Sequence, residues 1–181
     1  MLADTDRLRP FDTANQVDEN VFIGGYLAAN DPDLIRRACI TRIVKMFSDD
    51  PSYPGGYHRH RDVQYAVFPT LDSPDYDIRG EAVDALQFIK EGIDANERIL
   101  VHCHAGISRS STIVLLHLMF HRGFDLDGAL EHLKTVRPVV NPNEGFMRRL
   151  RATDAALRRL RARHARPAPF EFHDWVVVDR A

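Results

Sequence analysis

The amino-acid sequence predicts an α/β domain with a central, mostly parallel sheet flanked by helices. Three observations support this. Short apolar runs at Val21–Ile23, Thr41–Phe47, Gln64–Phe68 and Arg98–Val101 read as strands. They alternate with segments of helical period, the arrangement that crossovers between parallel strands require. One of those segments, 109–121, is apolar almost all round (Ile113 to Leu116, Leu118 to Phe120), so it belongs at the centre of the domain.

Each element follows from local chemistry. Residues 1–15 read as a polar lead-in. Val21–Ile23 ends at Gly24-Gly25, a strand and turn. Asp31-Pro32 opens a helix through Ala38, with Pro in the first turn. Thr41–Phe47 reads as a buried strand. Ser48–Arg61, with two Pro and two Gly, reads as a loop. Gln64–Phe68 is a strand that runs into a turn-rich segment, Pro69–Asp77. Arg79–Asn96 carries Val83, Leu86, Ile89 and Ile93 on one helical face. Arg98–Val101 is a strand that stops at His102-Cys103. Helices 109–121 and 125–136 are separated by Gly123, and Arg137-Pro138 breaks the second. A last helix opens near Asn143. The domain is expected over 16–163. A tail, 164–181, carries two prolines before the apolar run Trp175–Val178.

The composition narrows the function. A formal net charge of −2 gives no signal for nucleic acid or for a membrane surface. No apolar run reaches the length of a membrane span, and the polar N-terminus does not read as a secretory signal. Two cysteines, Cys39 and Cys103, make no disulfide framework, so a reducing, cytoplasmic setting is expected. The nine histidines include no pair with metal spacing, and neither metal nor cofactor is expected.

Residues 102–110 read HCHAGISRS, placed between a predicted strand and a predicted helix. Cys-x5-Arg there has a specific chemistry. The loop His104, Ala105, Gly106, Ile107, Ser108 can turn its N–H groups inward as an anion nest. The helix that follows points its positive end at the same place, and Gly106 permits the tight backbone. Arg109 can lay a planar fork on two phosphate oxygens. The same field favours the Cys103 thiolate, which can attack phosphorus and form a cysteinyl-phosphate. Ser110 can donate its hydroxyl to the sulfur when the thiolate must leave.

HCHAGISRS resembles the signature of the dual-specificity protein phosphatases, within the protein tyrosine phosphatase superfamily, and the resemblance extends over about residues 16–160. VFIGGYLAANDPDLIRRACITRIVKMF resembles the family's N-terminal strand–helix–strand. RPVVNPNEGF (137–146) resembles a second family block, in which the segment around Asn143 supports the phosphate loop. The chain departs from the family at Lys45-Met46, where Asn-Val is usual, and in the 48–61 loop. The resemblance implies a protein-tyrosine-phosphatase-like fold and a phosphomonoesterase acting on phosphotyrosine, with phosphoserine or phosphothreonine, in phosphoprotein substrates. It places His102 behind the nucleophile as support. Relatives that act on phosphoinositides, RNA 5′-phosphates or phosphoglucans often carry a basic loop interior, whereas His-Ala-Gly-Ile-Ser is not strongly basic.

A general acid must reach over the pocket to protonate the leaving oxygen. Asp72, Asp75 and Asp77 are the candidates. The family places its acid about thirty residues before the nucleophile, with an apolar helix-opening residue six positions after it. Asp72 stands 31 residues before Cys103, with Ile78 six after it, and is the choice. Cys39 is expected to be a core residue rather than a redox partner of Cys103. The Arg-rich stretch from Arg148 to Arg166 is expected to be the solvated face of the last helix.

Overall fold

The computed structural model describes residues 13–48 and 59–163. Its sheet has five strands: β1 (Ala14–Gln16), β2 (Val21–Gly24), β3 (Arg42–Lys45), β4 (Gln64–Val67) and β5 (Ile99–His102). Their order is β1-β2-β5-β3-β4. β2, β5, β3 and β4 run parallel, and β1 pairs antiparallel with β2. All four residues of β2 and of β5 are buried, as expected of strands covered on both faces.

Six helices are described: α1 (Tyr26–Asn30), α2 (Pro32–Arg37), α3 (Arg79–Asp94), α4 (Arg109–His121), α5 (Leu126–Val136) and α6 (Glu144–Arg163). Capping follows the sequence signals. The Asp31 carboxylate accepts from the Asp33 and Leu34 N–H groups, and Asp125 accepts from Gly128. Asn143 Oδ1 accepts the Phe146 N–H at 3.0 Å and opens α6. α4 is the hub. Every residue from Ser110 to Met119 is buried, and the helix packs against α3, α5, α6 and the strands β2 and β5. On the other side of the sheet, Phe22, Ile35, Ile40, Ile43 and Leu100 form a smaller core with α2.

The predicted α/β architecture and its helices are found, with four differences. Ala14–Gln16, where the lead-in was expected to pass into the domain, is an edge strand, and Tyr26–Asn30 is an additional short helix. Cys39, expected in the core, is exposed. It occupies the left-handed position (φ 52°) that ends α2, where its N–H bonds Arg36 O and the Ile40 N–H bonds Ile35 O. That motif turns its side chain out and buries Ile40 instead. Along the final helix, Arg149 pairs with Asp77, Arg158 with Asp125 and Asp154, and Arg161 bonds the Met119 and Phe124 carbonyls, so this face is partly engaged rather than only solvated. The lead-in before residue 13, most of the Ser48–Arg61 loop and the 164–181 tail lie outside the described residues.

The parallel register puts Gly24, Lys45 and His102 side by side at the carboxyl ends of β2, β3 and β5. The chain leaves the sheet there at four adjacent strand ends. Open α/β sheets bind ligands outside this edge.

Candidate active site

The loop after β5 is held by its carbonyl groups. His104 O accepts from the Tyr26 N–H at 2.8 Å, and Ile107 O accepts from the Asn141 N–H at 2.9 Å. Ala105 O and Gly106 O accept from the Arg137 guanidinium at 2.9 and 2.8 Å. Ser108 O accepts from the Thr112 N–H and hydroxyl. No peptide here is cis, so each N–H points opposite to its tethered carbonyl. The five carbonyls point outward into the protein, and the loop's N–H groups face the concave side. Gly106 has φ +69°, and a Cβ there would fall 2.6 Å from Gly24 O. Only glycine fits.

Cys103 follows β5 and is 2% exposed. Its Sγ lies 3.2 Å from Ser110 Oγ, in the first turn of α4. If the sulfur is a thiolate, the serine O–H is the donor. Behind it, His102 Nδ1 is 3.3 Å from Cys103 O, and a carbonyl only accepts, so Nδ1 carries the proton. Burial, with the nearby Lys45 charge, pushes the His102 pKa down to about 3 and keeps the ring neutral. Lys45, at the position where the chain departs from the family pattern, is itself buried, with Nζ 4.5 Å from the Phe47 ring centroid.

Arg109 is anchored through Nη1, which donates to Met46 O at 3.2 Å and to Thr70 O at 3.1 Å. Its buried Nε has no hydrogen-bond partner and lies 3.6 Å from Asp72 Oδ2. The guanidinium is thus fixed on one edge, with a donor left for an anion.

Asp72 Oδ1 accepts from Ser108 Oγ at 2.6 Å and from Asn143 Nδ2 at 2.9 Å. The segment carrying it docks on the start of α6. A Cβ on Gly145 would sit 1.8 Å from Pro74 O, so glycine is needed for that approach. Asp77 instead pairs with Arg79 and Arg149, and Arg79 holds its carboxyl well below the usual carboxylate range, at about 2. Asp75 is exposed, and its backbone N–H bonds Ser73 Oγ. Of the three carboxylates proposed from sequence, Asp72 is the one bonded to the loop.

The structure therefore brings Cys103, Arg109, Ser110, Ser108, Asp72 and Asn143 together, with the backbone of 104–108 between them. The His104 side chain leans on Phe47 and Tyr26, at 5.1 and 6.4 Å between ring centroids. Sequence reasoning missed Thr70, which helps anchor Arg109, and Arg137, which bonds the loop from the C-terminal end of α5. In the sequence Arg137 reads as the residue before a helix-breaking proline and as the first of the second family block, 137–146, with no role of its own. Cys39 is not in this site. It precedes β3 while Cys103 follows β5, so the two lie at opposite ends of parallel strands on the order of 13 Å long. A disulfide needs Cα atoms within about 7 Å.

The family model described as "Dual specificity phosphatase, catalytic domain" matches residues 21–155. Over 142 residues the chain is 32% identical to rat (Rattus norvegicus) Dual specificity protein phosphatase 12, covering 78% of this chain and 41% of the relative. It is 31% identical over 142 residues to Dual specificity protein phosphatase 1 of Arabidopsis thaliana, covering 78% of this chain and 69% of that protein. The chain thus spans less than half of the rat relative's length. Among solved structures, a mouse putative dual specificity phosphatase complexed with zinc tungstate superposes with TM-score 0.74 at 30% identity. That superposition covers 88% of this chain and 96% of that chain.

Proposed function

Because the chain belongs to the dual-specificity phosphatase catalytic-domain family, we propose that it removes phosphate from phosphotyrosine, and from phosphoserine or phosphothreonine, in protein substrates through a cysteinyl-phosphate intermediate. The observation that carries this reading is the convergence on one loop of Cys103, Arg109 and Asp72, with Cys103 Sγ 3.2 Å from Ser110 Oγ.

In the first step the Cys103 thiolate attacks phosphorus in line, and the ester oxygen leaves. The Arg109 guanidinium and the inward N–H groups of 105–109 hold the equatorial oxygens as charge redistributes. Asp72 gives its proton to the leaving oxygen and ends as the carboxylate. In the second step a water attacks the phosphocysteine, Asp72 takes up the water's proton, and the thiolate leaves with a hydrogen bond from Ser110. His102 stays neutral behind the loop and contributes orientation rather than charge.

The reading is tested by turnover of an aryl phosphate, phosphotyrosine and phosphothreonine peptides, a phosphoinositide and a 5′-phosphorylated RNA, all with a chelator present. Chelator-insensitive hydrolysis with peptides preferred supports it. Activity that vanishes with chelator and returns with a divalent cation contradicts the mechanism. A preference for the lipid or the RNA contradicts the substrate class.

A further inference from the structure

Arg137 ends α5 and is only 2% exposed. It is among the largest fully buried side chains of the described residues. Burying a guanidinium is costly unless its donors are satisfied, and here they serve one purpose. Nε donates to Gly106 O at 2.8 Å, and Nη2 donates to Ala105 O at 2.9 Å. Nη1 donates to Asn15 Oδ1 at 2.7 Å and to Thr13 O at 3.3 Å. These four acceptors are all neutral oxygens. Gly106 is fitted to the same group, since a Cβ there would lie 2.5 Å from Arg137 Nη2. Burial pulls the Arg137 guanidinium below its ordinary pKa, while attraction to the Cys103 thiolate opposes that pull.

We propose that Arg137 is a positioning residue of the phosphate loop: by drawing the Ala105 and Gly106 carbonyl oxygens outward it aims the Gly106 and Ile107 N–H groups at the bound phosphoryl group. The inference rests on the phosphatase reading above and extends it to a residue outside the signature. The peptide geometry does the work. Each tethered carbonyl is coplanar with the N–H of the next residue, so fixing one fixes the other. With neither donor preorganised, the loop would have to reorganise during the chemical step. Asn15, in β1, in turn orients Arg137 and ties the edge strand to the site.

Two substitutions separate the contributions. Arg137→Lys keeps a cation but cannot span two carbonyls and Asn15 with a planar fork. Arg137→Met removes both charge and donors. The readouts are thermal unfolding, orthovanadate inhibition, and kcat and KM on an aryl phosphate. Arg137→Lys is expected to fold, to lose roughly 10–100-fold in kcat/KM, mostly in kcat, and to bind vanadate correspondingly more weakly. Arg137→Met is expected to lose more of both. Should Arg137→Met fail to fold, Asn15→Ala supplies the second test. It is expected to weaken vanadate inhibition by roughly three- to tenfold. A merely structural role would lower the melting temperature while the folded protein kept its kcat and vanadate affinity. Folded Arg137→Lys and Asn15→Ala proteins that both stay within about twofold of wild type in kcat and vanadate affinity would overturn the proposal. Wild-type protein that binds vanadate without hydrolysing the ester would count against the phosphatase reading, and vanadate binding alone would then decide the role of Arg137.

Discussion

Ser108 Oγ donates to Asp72 Oδ1 at 2.6 Å, linking the loop that would hold the phosphate to the carboxyl group that would protonate the leaving oxygen. The same hydroxyl accepts the Asn143 N–H at 3.1 Å, and Asn143 Nδ2 reaches Asp72 at 2.9 Å. Three segments far apart in sequence thus meet at one carboxylate, which sits 3.6 Å from Arg109.

Asp72→Ala should slow the first chemical step by roughly 10²–10⁴-fold on alkyl or peptide phosphates. The loss should be smaller on an aryl phosphate with a good leaving group, which needs little protonation. Phosphate binding should survive, because the carboxyl group acts on the leaving oxygen. Rates across a leaving-group series check this. The same dependence in Asp75→Ala, and its absence in Asp72→Ala, would reassign the acid.

Asn143→Ala should reproduce that pattern more weakly, by about a factor of ten, since it removes one of two bonds that place Asp72. Gly145→Ala acts from the other side. Its methyl group would collide with Pro74 O and push the acid-bearing segment away, costing roughly 1–3 kcal/mol if the helix start yields. A leaving-group series on both variants, read beside their melting temperatures, separates a displaced acid from general destabilisation. Equal losses on good and poor leaving groups would contradict the placement.

The buried histidines make a prediction about acid. Burial holds His102 and His121 at about 3, below the ordinary 6.5, and also lowers His117. A histidine with a depressed folded pKa contributes stability that is complete above 6.5 and is lost as pH falls toward 3. By pH 5 each of His102 and His121 should cost about 2 kcal/mol. Asp18, which accepts from His117 and Arg122, is also held below its usual range, mainly by those two hydrogen bonds against an opposing burial penalty. Its contribution disappears only in stronger acid. Melting curves from pH 7.5 to 5 should show a steady fall. A flat melting temperature over that interval would mean that these rings are not buried neutral.

Cys39→Ser should leave activity unchanged. Oxidation of wild-type protein should give no Cys39–Cys103 disulfide within one chain, because the two residues leave opposite ends of the sheet. Peptide mapping after peroxide checks this, and an intramolecular Cys39–Cys103 peptide would refute the placement.

What could be read in the sequence was what is decided locally. The run around Cys103 carries its own strand, glycine and helix start, and α4 declares its central place by being apolar almost all round. The strands and the long helices likewise follow from periodicity and caps. What escaped depends on distant partners. Ala14–Gln16 is short and polar, and it becomes a strand only by pairing with β2. Tyr26–Asn30 has no side-chain cap to announce it, and its first N–H is satisfied by His104 O. Arg137 bonds residues 31 and 32 positions away, and one 122 positions away. Cys39 was misplaced because an apolar-looking residue was judged by type, while its left-handed backbone sends it outward.

The central claim is that Cys103 takes the phosphoryl group. The direct measurement is rapid acid quench of the enzyme during turnover of an aryl phosphate, followed by digestion and mass mapping. The account predicts a phosphate on the peptide containing Cys103, formed in a burst, with chelator present, and absent in Cys103→Ser. Continued turnover by Cys103→Ser, or phosphate trapped on another residue, would contradict it.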